Sequence, residues 1–184
     1  IVKKFFFKNK IFDIQKLINK KYNKLIKADI DRTPNDTVII IYTSGSTGRA
    51  KGIMCAHKNI IFATKSIMNS LNFKKEKIGL FLPVSFDYGL YQFYLSIESN
   101  SSIHIGKPSD VGPRFLNIIK SENITVLPLV TNHLKVLLIL LKKKTSCGIK
   151  IITNTGSEIP IFLIKRFIKI QKNCKVFLMY GLSE

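Results

Sequence analysis

From residue 38 to residue 179, short apolar runs of strand length alternate with longer stretches of helical period. The short runs are 38–41, 77–82, 102–105, 125–127, 149–153 and 175–179. Several are β-branched and apolar at consecutive positions, which requires cover on both faces of the strand. The stretches 58–71, 86–98, 113–121, 129–143 and 160–172 predict helices, with Pro113 and Pro160 near starts, where a missing N–H costs no helical bond. The two patterns together demand an α/β fold: a largely parallel sheet flanked by helices and joined by right-handed crossovers. In such sheets ligands sit at the carboxyl ends of strands. The polar, glycine-bearing segments 42–48, 83–87, 155–158 and 180–184 fall mostly at those ends.

A chain of 184 residues fits one domain or part of one, at the usual ~100–200 residues per domain. It opens on Ile1 and closes on Tyr180-Gly181-Leu182-Ser183-Glu184, so a piece of a longer protein is expected. Residues 1–33 are Lys-rich and irregular and predict a basic helix over 11–26 and a linker, the end of a preceding region; residues 34–184 are the domain proper. Thirty Lys and Arg against eleven Asp and Glu leave a net charge of +19, which raises nucleic acid or an anionic membrane as partners. The lysines are spread along the whole chain with a surplus of Ile and Asn, as AT-rich coding produces, and no aromatic–basic motif of the RNA-binding kind is present. The reading is a solvated basic surface with no nucleic-acid partner. Cys55, Cys147 and Cys174 lie far apart without a C-x-x-C spacing, which supports neither a zinc site nor a disulfide framework and fits a reducing, cytoplasmic setting. The longest apolar run, 136–141, falls far short of the ~20 residues of a membrane span, and lysines interrupt residues 1–12 before any signal-peptide core forms.

Residues 42–52 read Tyr-Thr-Ser-Gly-Ser-Thr-Gly-Arg-Ala-Lys-Gly. Successive N–H groups in a Gly/Ser/Thr turn make a concavity for anions, the hydroxyls add donors, and Lys51 supplies charge. The G-x-x-x-x-G-K-[ST] spacing fails: counted from Gly45, it puts Ala50 at the second glycine and Gly52 at the magnesium-binding hydroxyl. A G-x-S-x-G elbow centred on Ser46 fails as well, because Ser44 stands where the first glycine belongs, so no serine nucleophile is supported. Residues 53–57 look extended, so the loop joins two strands and opens no helix, which sets aside the helix-dipole design. Taken alone, the loop remains open to an ordinary surface turn.

With Asp36 and an apolar strand before it and His57 after it, this stretch resembles the signature of the adenylate-forming (AMP-binding) superfamily. That group includes AMP-forming acyl-CoA synthetases, amino-acid adenylation domains and luciferase-like enzymes. Ala50 stands where proline is commoner, at a position that adds turn rigidity and no chemistry. Three further segments match in the same order. Leu82-Pro83-Val84-Ser85-Phe86-Asp87-Tyr88-Gly89-Leu90 resembles the segment whose aromatic residue lines the carboxylate substrate's pocket. Asn154-Thr155-Gly156-Ser157-Glu158-Ile159-Pro160 resembles the strand-end turn against which adenine stacks. Tyr180-Gly181-Leu182-Ser183-Glu184 resembles the Y-G-x-[ST]-E element that touches adenine and the α-phosphate and holds magnesium. The resemblance runs from about Asp36 to the end and implies part of the large N-terminal domain of that fold.

The resemblance implies that a carboxylate attacks the α-phosphorus of ATP, giving an acyl-adenylate and pyrophosphate, and that a thiol of coenzyme A or a phosphopantetheine carrier protein then takes the acyl group. Two anions must meet, so charge has to be neutralised and an in-line attack aligned. On this resemblance Thr43, Ser44, Gly45, Ser46, Thr47 and Gly48 hold the β- and γ-phosphates with Lys51 as a nearby cation. Gly156 and Ser157 admit the purine and Tyr180 covers it, beside Gly181. Ser183 holds an α-phosphate oxygen and Glu184 binds Mg²⁺. Glu158 is grouped with the nucleotide contacts, against the alternative of a solvated side chain at a variable place. Phe86 walls the acid pocket. His57 reads as a structural strand-end histidine, and His104 and His133 fall outside every motif.

Asp87 separates the family's branches. A Phe-Asp pair near this place binds the substrate's ammonium in amino-acid adenylation domains, whereas the run Phe86-Asp87-Tyr88-Gly89-Leu90 resembles certain stand-alone acyl-CoA ligases, in which the aspartate need not meet an amine. The acyl-CoA ligase is the favoured reading, a carrier-loading amino-acid adenylation domain the alternative, and a non-catalytic nucleotide-binding remnant a second alternative. The ribose-binding aspartate, the hinge and the small C-terminal domain with its lysine would follow Glu184, so this piece alone is expected to be inactive.

Overall fold

The computed structural model describes residues 4–7, 10–13, 32–43, 51–141 and 146–181. The chain divides into two compact units, Ile1–Arg32 and Thr33–Glu184. In the first, β1 (Lys4–Phe7) and β2 (Lys10–Asp13) pair antiparallel, with Phe5 opposite Phe12 and Phe6 opposite Ile11. Residues 11–13 therefore depart from the helix expected over 11–26. Phe and Ile favour extended pairing, and the aromatic run just upstream offers a local partner. Residues 14–26 lie outside the described residues.

The second unit begins with an antiparallel pair, β3 (Thr37–Thr43) and β4 (Lys51–Ala56), that runs directly into α1 (His57–Leu71). The 42–52 stretch does join two strands. Alternation is clear along β3, where Val38, Ile40 and Tyr42 are exposed and Ile39, Ile41 and Thr43 half-buried. Asp36 fixes the entry: its carboxylate accepts the Thr33 N–H at 2.8 Å and the Thr33 hydroxyl at 3.1 Å. Its carbonyl accepts the His57 N–H at 3.1 Å, tying the start of β3 to the start of α1.

Five parallel strands form the main sheet: β5 (Lys77–Leu80), β6 (Ser102–Ile105), β7 (Val126–Leu129), β8 (Ile151–Asn154) and β9 (Lys175–Leu178), in the order β6-β5-β7-β8-β9. Helices α2 (Asp87–Glu98), α3 (Phe115–Ser121), α4 (Thr131–Leu140) and α5 (Ile161–Ile170) connect successive strands. Both faces of the sheet are covered. Leu127, Leu129 and Ile152 pack with Phe115, Ile119, Leu134, Leu137, Leu163 and Phe167 of α3 to α5. Ile78, Val126 and Ile151 point the other way, toward Leu71 of α1 and Leu95 of α2. The consecutive apolar residues of β7 and β8 are buried throughout, while the edge strands β6 and β9 are part-exposed.

The strand order reverses between β5 and β7. These two register only at Ile78↔Val126, whereas β7 and β8 register from Val126↔Ile151 to Leu129↔Asn154. The strand expected to stop at 127 continues through Pro128, which brings no N–H to the ladder. Cys147 and Cys174 are buried free thiols in the α3–α5 core, and Cys55 is a half-buried free thiol. Among the described residues no helix is long and apolar enough to cross a membrane.

Phe81 follows β5, is fully buried and meets the Phe115 ring edge-on, centroids 4.9 Å apart. Replacing it by alanine is expected to cost about 3–5 kcal/mol in urea unfolding. Ile105→Ala, at a side chain 60% exposed on the sheet edge, is expected to stay within about 0.5 kcal/mol.

Candidate functional site

Segments that leave three different strands meet at the carboxyl edge of the sheet. After β5 the chain turns at Pro83, whose carbonyl accepts the Phe86 N–H at 3.1 Å, and starts α2 with Asp87. After β8 come Thr155, Gly156 and Ser157, and after β9 Met179, Tyr180 and Gly181. The last residue of β3, Thr43, closes the remaining side with Ala63 and Ile67 of α1. Together with Tyr88 and Tyr91 these residues line a cavity of about 520 Å³. Its walls are mostly apolar or aromatic, and Asp87 is the one charged side chain among its described lining residues.

A second cavity of about 320 Å³ is lined by Phe86, Val130, Thr131, Asn132, Gly156 and Ser157. Phe86 and Gly156 belong to both cavities, so the Phe86 ring is a partition between them. Gly156 is required on two counts. Its φ is +76°, and a Cβ there would stand 3.1 Å from Phe86 Cζ. Beyond it, the Thr131 hydroxyl lies 3.0 Å from the Ser157 hydroxyl and donates to the Glu158 carbonyl at 2.9 Å, fastening the turn to the start of α4.

Electrostatics at the site follow from the start of α2. Asp87 Oδ1 accepts the Tyr88 N–H at 2.7 Å, a favourable place for a carboxylate at a helix N-terminus. Tyr88 is 5% exposed, and its hydroxyl lies 2.7 Å from Thr153 Oγ1. Burial pushes the Tyr88 phenol well above its ordinary range even though the Thr153 bond acts the other way, so the group stays a neutral hydroxyl. Burial, with smaller contributions from Cys55, Tyr94 and Asp87, raises Tyr91 as well.

Of the residues singled out from sequence, Thr43, Phe86, Asp87, Gly156, Tyr180 and Gly181 line the first cavity and Ser157 the second. Lys51 is exposed and stands opposite Thr43 as the last pair of the hairpin. Glu158 is exposed and lines neither cavity. Ser44, Gly45, Ser46, Thr47, Gly48, Ser183 and Glu184 lie outside the described residues. His104 sits on β6, its Nδ1 3.4 Å from Glu122 Oε2, and His133 is in α4 with a buried Nδ1 that meets no hydrogen-bond partner among the described residues; neither lines either of these two cavities. Desolvation lowers the His133 pKa. Lys77, 3.1 Å from the same Glu122 oxygen, holds that carboxyl below its usual range, with His104 adding to the effect.

Sequence reasoning missed Ala63, Ile67, Tyr88, Tyr91, Thr155 and Met179 as walls of the first cavity. A signal existed for two of them: Tyr88 adjoins the Phe86-Asp87 pair, and Tyr91 stands one helical turn after Asp87, on the same face. The rim can take a flat ring, since Gly156 presents bare backbone and Tyr180 is 89% exposed.

A family model described as AMP-binding enzyme matches residues 8–184. Tyrocidine synthase 1 of Brevibacillus parabrevis is 29% identical over 131 residues, which cover 70% of this chain and 12% of that protein. 4-Coumarate–CoA ligase 3 of Oryza sativa subsp. japonica is 32% identical over 111 residues, covering 57% of this chain and 20% of that protein. The structure of VinN in complex with L-aspartate superposes with a TM-score of 0.74 at 25% identity, over 84% of this chain and 40% of that one. The chain thus spans well under half the length of each of these proteins.

Gly156→Ala forces a side chain into left-handed backbone, at about 1–2 kcal/mol, and also presses on the Phe86 ring. The urea unfolding midpoint should fall, and a Phe86→Leu background should remove the ring contact and leave only the backbone share.

Proposed function

This chain belongs to the AMP-binding enzyme family, and we propose that the protein it comes from uses ATP to activate a carboxylic acid and passes the acyl group to a thiol. The observation that carries this reading is the convergence of Phe86-Asp87, Thr155-Gly156 and Tyr180-Gly181 around one cavity that Thr43 closes from the hairpin side, with Ser157 lining the adjoining one. In the first step a carboxylate oxygen bonds the α-phosphorus and the bond to the β-phosphate bridge breaks, releasing pyrophosphate. In the second, the thiol sulfur bonds the acyl carbon, its proton goes to solvent or a base, and AMP leaves. Gly156, Ser157 and Tyr180 receive the purine, and Ser183 holds an oxygen of the α-phosphate. The 43–48 loop, with Lys51 beside it, balances the phosphate charge. Glu184, a hard oxygen ligand, would hold Mg²⁺, and the ion would supply charge neutralisation at the phosphates.

The thiol is that of coenzyme A, which makes the protein an acyl-CoA ligase. Asp87 supports this reading, since its Oδ1 is engaged with the Tyr88 N–H at the start of α2 and serves the helix. A second reading, loading of an amino acid on a carrier protein, is favoured by the position of the same side chain. Asp87 is the one charged side chain among the described lining residues of a largely apolar cavity, and a carboxylate there is of the chemistry that bonds a substrate ammonium. VinN, whose structure this chain resembles, is seen in complex with L-aspartate, an amino acid.

ATP–pyrophosphate exchange by the full-length protein tests the reading. Fatty or aryl acids should support exchange, and exchange with amino acids alone would establish the second reading; exchange with no carboxylic acid would overturn both. Lys51→Ala and Glu184→Ala should each lower exchange by about a hundredfold, whereas His104→Ala, remote from both cavities, should leave it at the wild-type rate.

A further inference from the structure

Helix α5 meets the core along one stripe. Leu163 and Phe167 are buried, and Ile164 and Ile170 pack half-buried against the same α3–α5 cluster. The rest of the helix forms two adjoining stripes, each spaced at i, i+4 and i+7: Ile161, Lys165 and Ile168, then Phe162, Arg166 and Lys169. All six side chains are exposed. Ile161 is 66% exposed, Phe162 67% and Ile168 40%, so the apolar members stand in water beside the cations. Lys172 and Lys175, just beyond the helix, are exposed as well. No Asp or Glu stands between Glu158 and Glu184. The ion pairs among the described residues join Lys77 and His104 to Glu122 and Lys150 to Glu76, and none involves a cation of α5.

We propose that this outward face of α5 docks the protein on the surface of an anionic lipid bilayer. The inference does not depend on the acid-activating reading. Its basis is the mixture of two chemistries on one face. Along the rest of the chain the surplus lysines are dispersed, as a solvated surface requires. On α5 they alternate with large apolar side chains. A nucleic-acid backbone would engage the cations and leave Ile161, Phe162 and Ile168 in water. A bilayer interface takes both groups at once. The three apolar side chains enter the boundary between headgroups and acyl chains, while Lys165, Arg166 and Lys169 lay their stems along it and reach the lipid phosphates and carboxylates. With ten residues and an inner stripe held by the core, α5 lies on the membrane and does not span it. The cations supply an attraction that salt screens, and the apolar side chains a part that it does not.

The test is flotation of the full-length protein with vesicles of phosphatidylcholine, with and without phosphatidylserine, at low and at physiological salt. Wild type should bind the phosphatidylserine vesicles and leave the neutral ones. Lys165→Gln, Arg166→Gln and Lys169→Gln should each lower binding about fivefold. Phe162→Ser should lower it about tenfold and remove most of what survives physiological salt. Joint replacement of Lys65, Lys74 and Lys107 by Gln, at exposed sites outside α5, removes the same charge as the joint α5 variant and should change binding by less than about twofold. Every site is exposed, so each variant should keep the wild-type urea midpoint; if Phe162→Ser does not, Ile168→Ser makes the same comparison. The proposal is overturned if wild type does not distinguish phosphatidylserine from neutral vesicles, or if the Lys65, Lys74 and Lys107 variant loses as much as the joint Lys165, Arg166 and Lys169 variant. It is equally overturned if folded serine variants bind as wild type does. Binding to duplex DNA through the α5 cations, with none to vesicles, would assign the face to nucleic acid and overturn it too.

Discussion

Burial of the central strands on both faces is the constraint from which the rest of this structure follows. Val126, Leu127, Leu129, Ile151 and Ile152 have no polar face to offer water, so β7 and β8 can exist only between two layers of helix. Parallel neighbours cannot be joined by a tight turn, and each crossover therefore carries a helix. The helices α3 to α5 supply the lid on one face through Phe115, Leu137 and Phe167, and α1 and α2 supply the other through Leu71 and Leu95. At roughly 1.5–3 kcal/mol for each large apolar side chain fully removed from water, this is the dominant favourable term.

The same arrangement makes the site. With every strand parallel, every carboxyl end faces the same edge, and segments far apart in sequence are delivered to one place. Gly156 and Phe86 illustrate the consequence: they are separated by the three helices α2 to α4 and the three strands β6 to β8, yet a Cβ at Gly156 would press on the Phe86 ring at 3.1 Å. At the opposite, amino-terminal edge of the sheet the chemistry differs. Lys77 pairs with Glu122 at 3.1 Å and Lys150 with Glu76 at 2.7 Å, around residues that start or precede β5 and β8. These are exposed or part-exposed pairs of small energetic weight. Charge pairs thus sit at the amino-terminal edge of the sheet, while the described lining of the first cavity at the carboxyl edge carries one charge, Asp87. A largely uncharged, apolar cavity strengthens whatever few polar contacts a ligand makes there.

Much of this was legible in the residues. The runs 102–105 and 175–179 and the helical stretches 58–71 and 86–98 match β6, β9, α1 and α2 to within a residue, because each carries a strong period and clear ends. The failures have local causes. The strand expected over 125–127 runs on through Pro128 to Leu129, because a parallel strand paired along its full length with β8 tolerates one missing N–H. Residues 11–13 suggested a helix, but extended pairing with the Phe5-Phe6-Phe7 run took them. Within the site, Phe86, Asp87, Gly156 and Tyr180 were visible as motif residues, whereas Ala63, Ile67 and Met179 were not. They carry no chemistry of their own and become walls only through what stands opposite them.

By itself the sequence determined that an α/β fold with a doubly covered sheet must form, where its strands and most of its helices lie, and which strand-end segments carry polar chemistry. Period reports how many faces of a segment are buried, and so it fixes the class of neighbour. It does not report which neighbour. The order β6-β5-β7-β8-β9, the reversal between β5 and β7, and the bond from Tyr88 to Thr153 were decided only in three dimensions. Those features depend on contacts between residues some 65 positions apart, and no local pattern encodes a partner that distant.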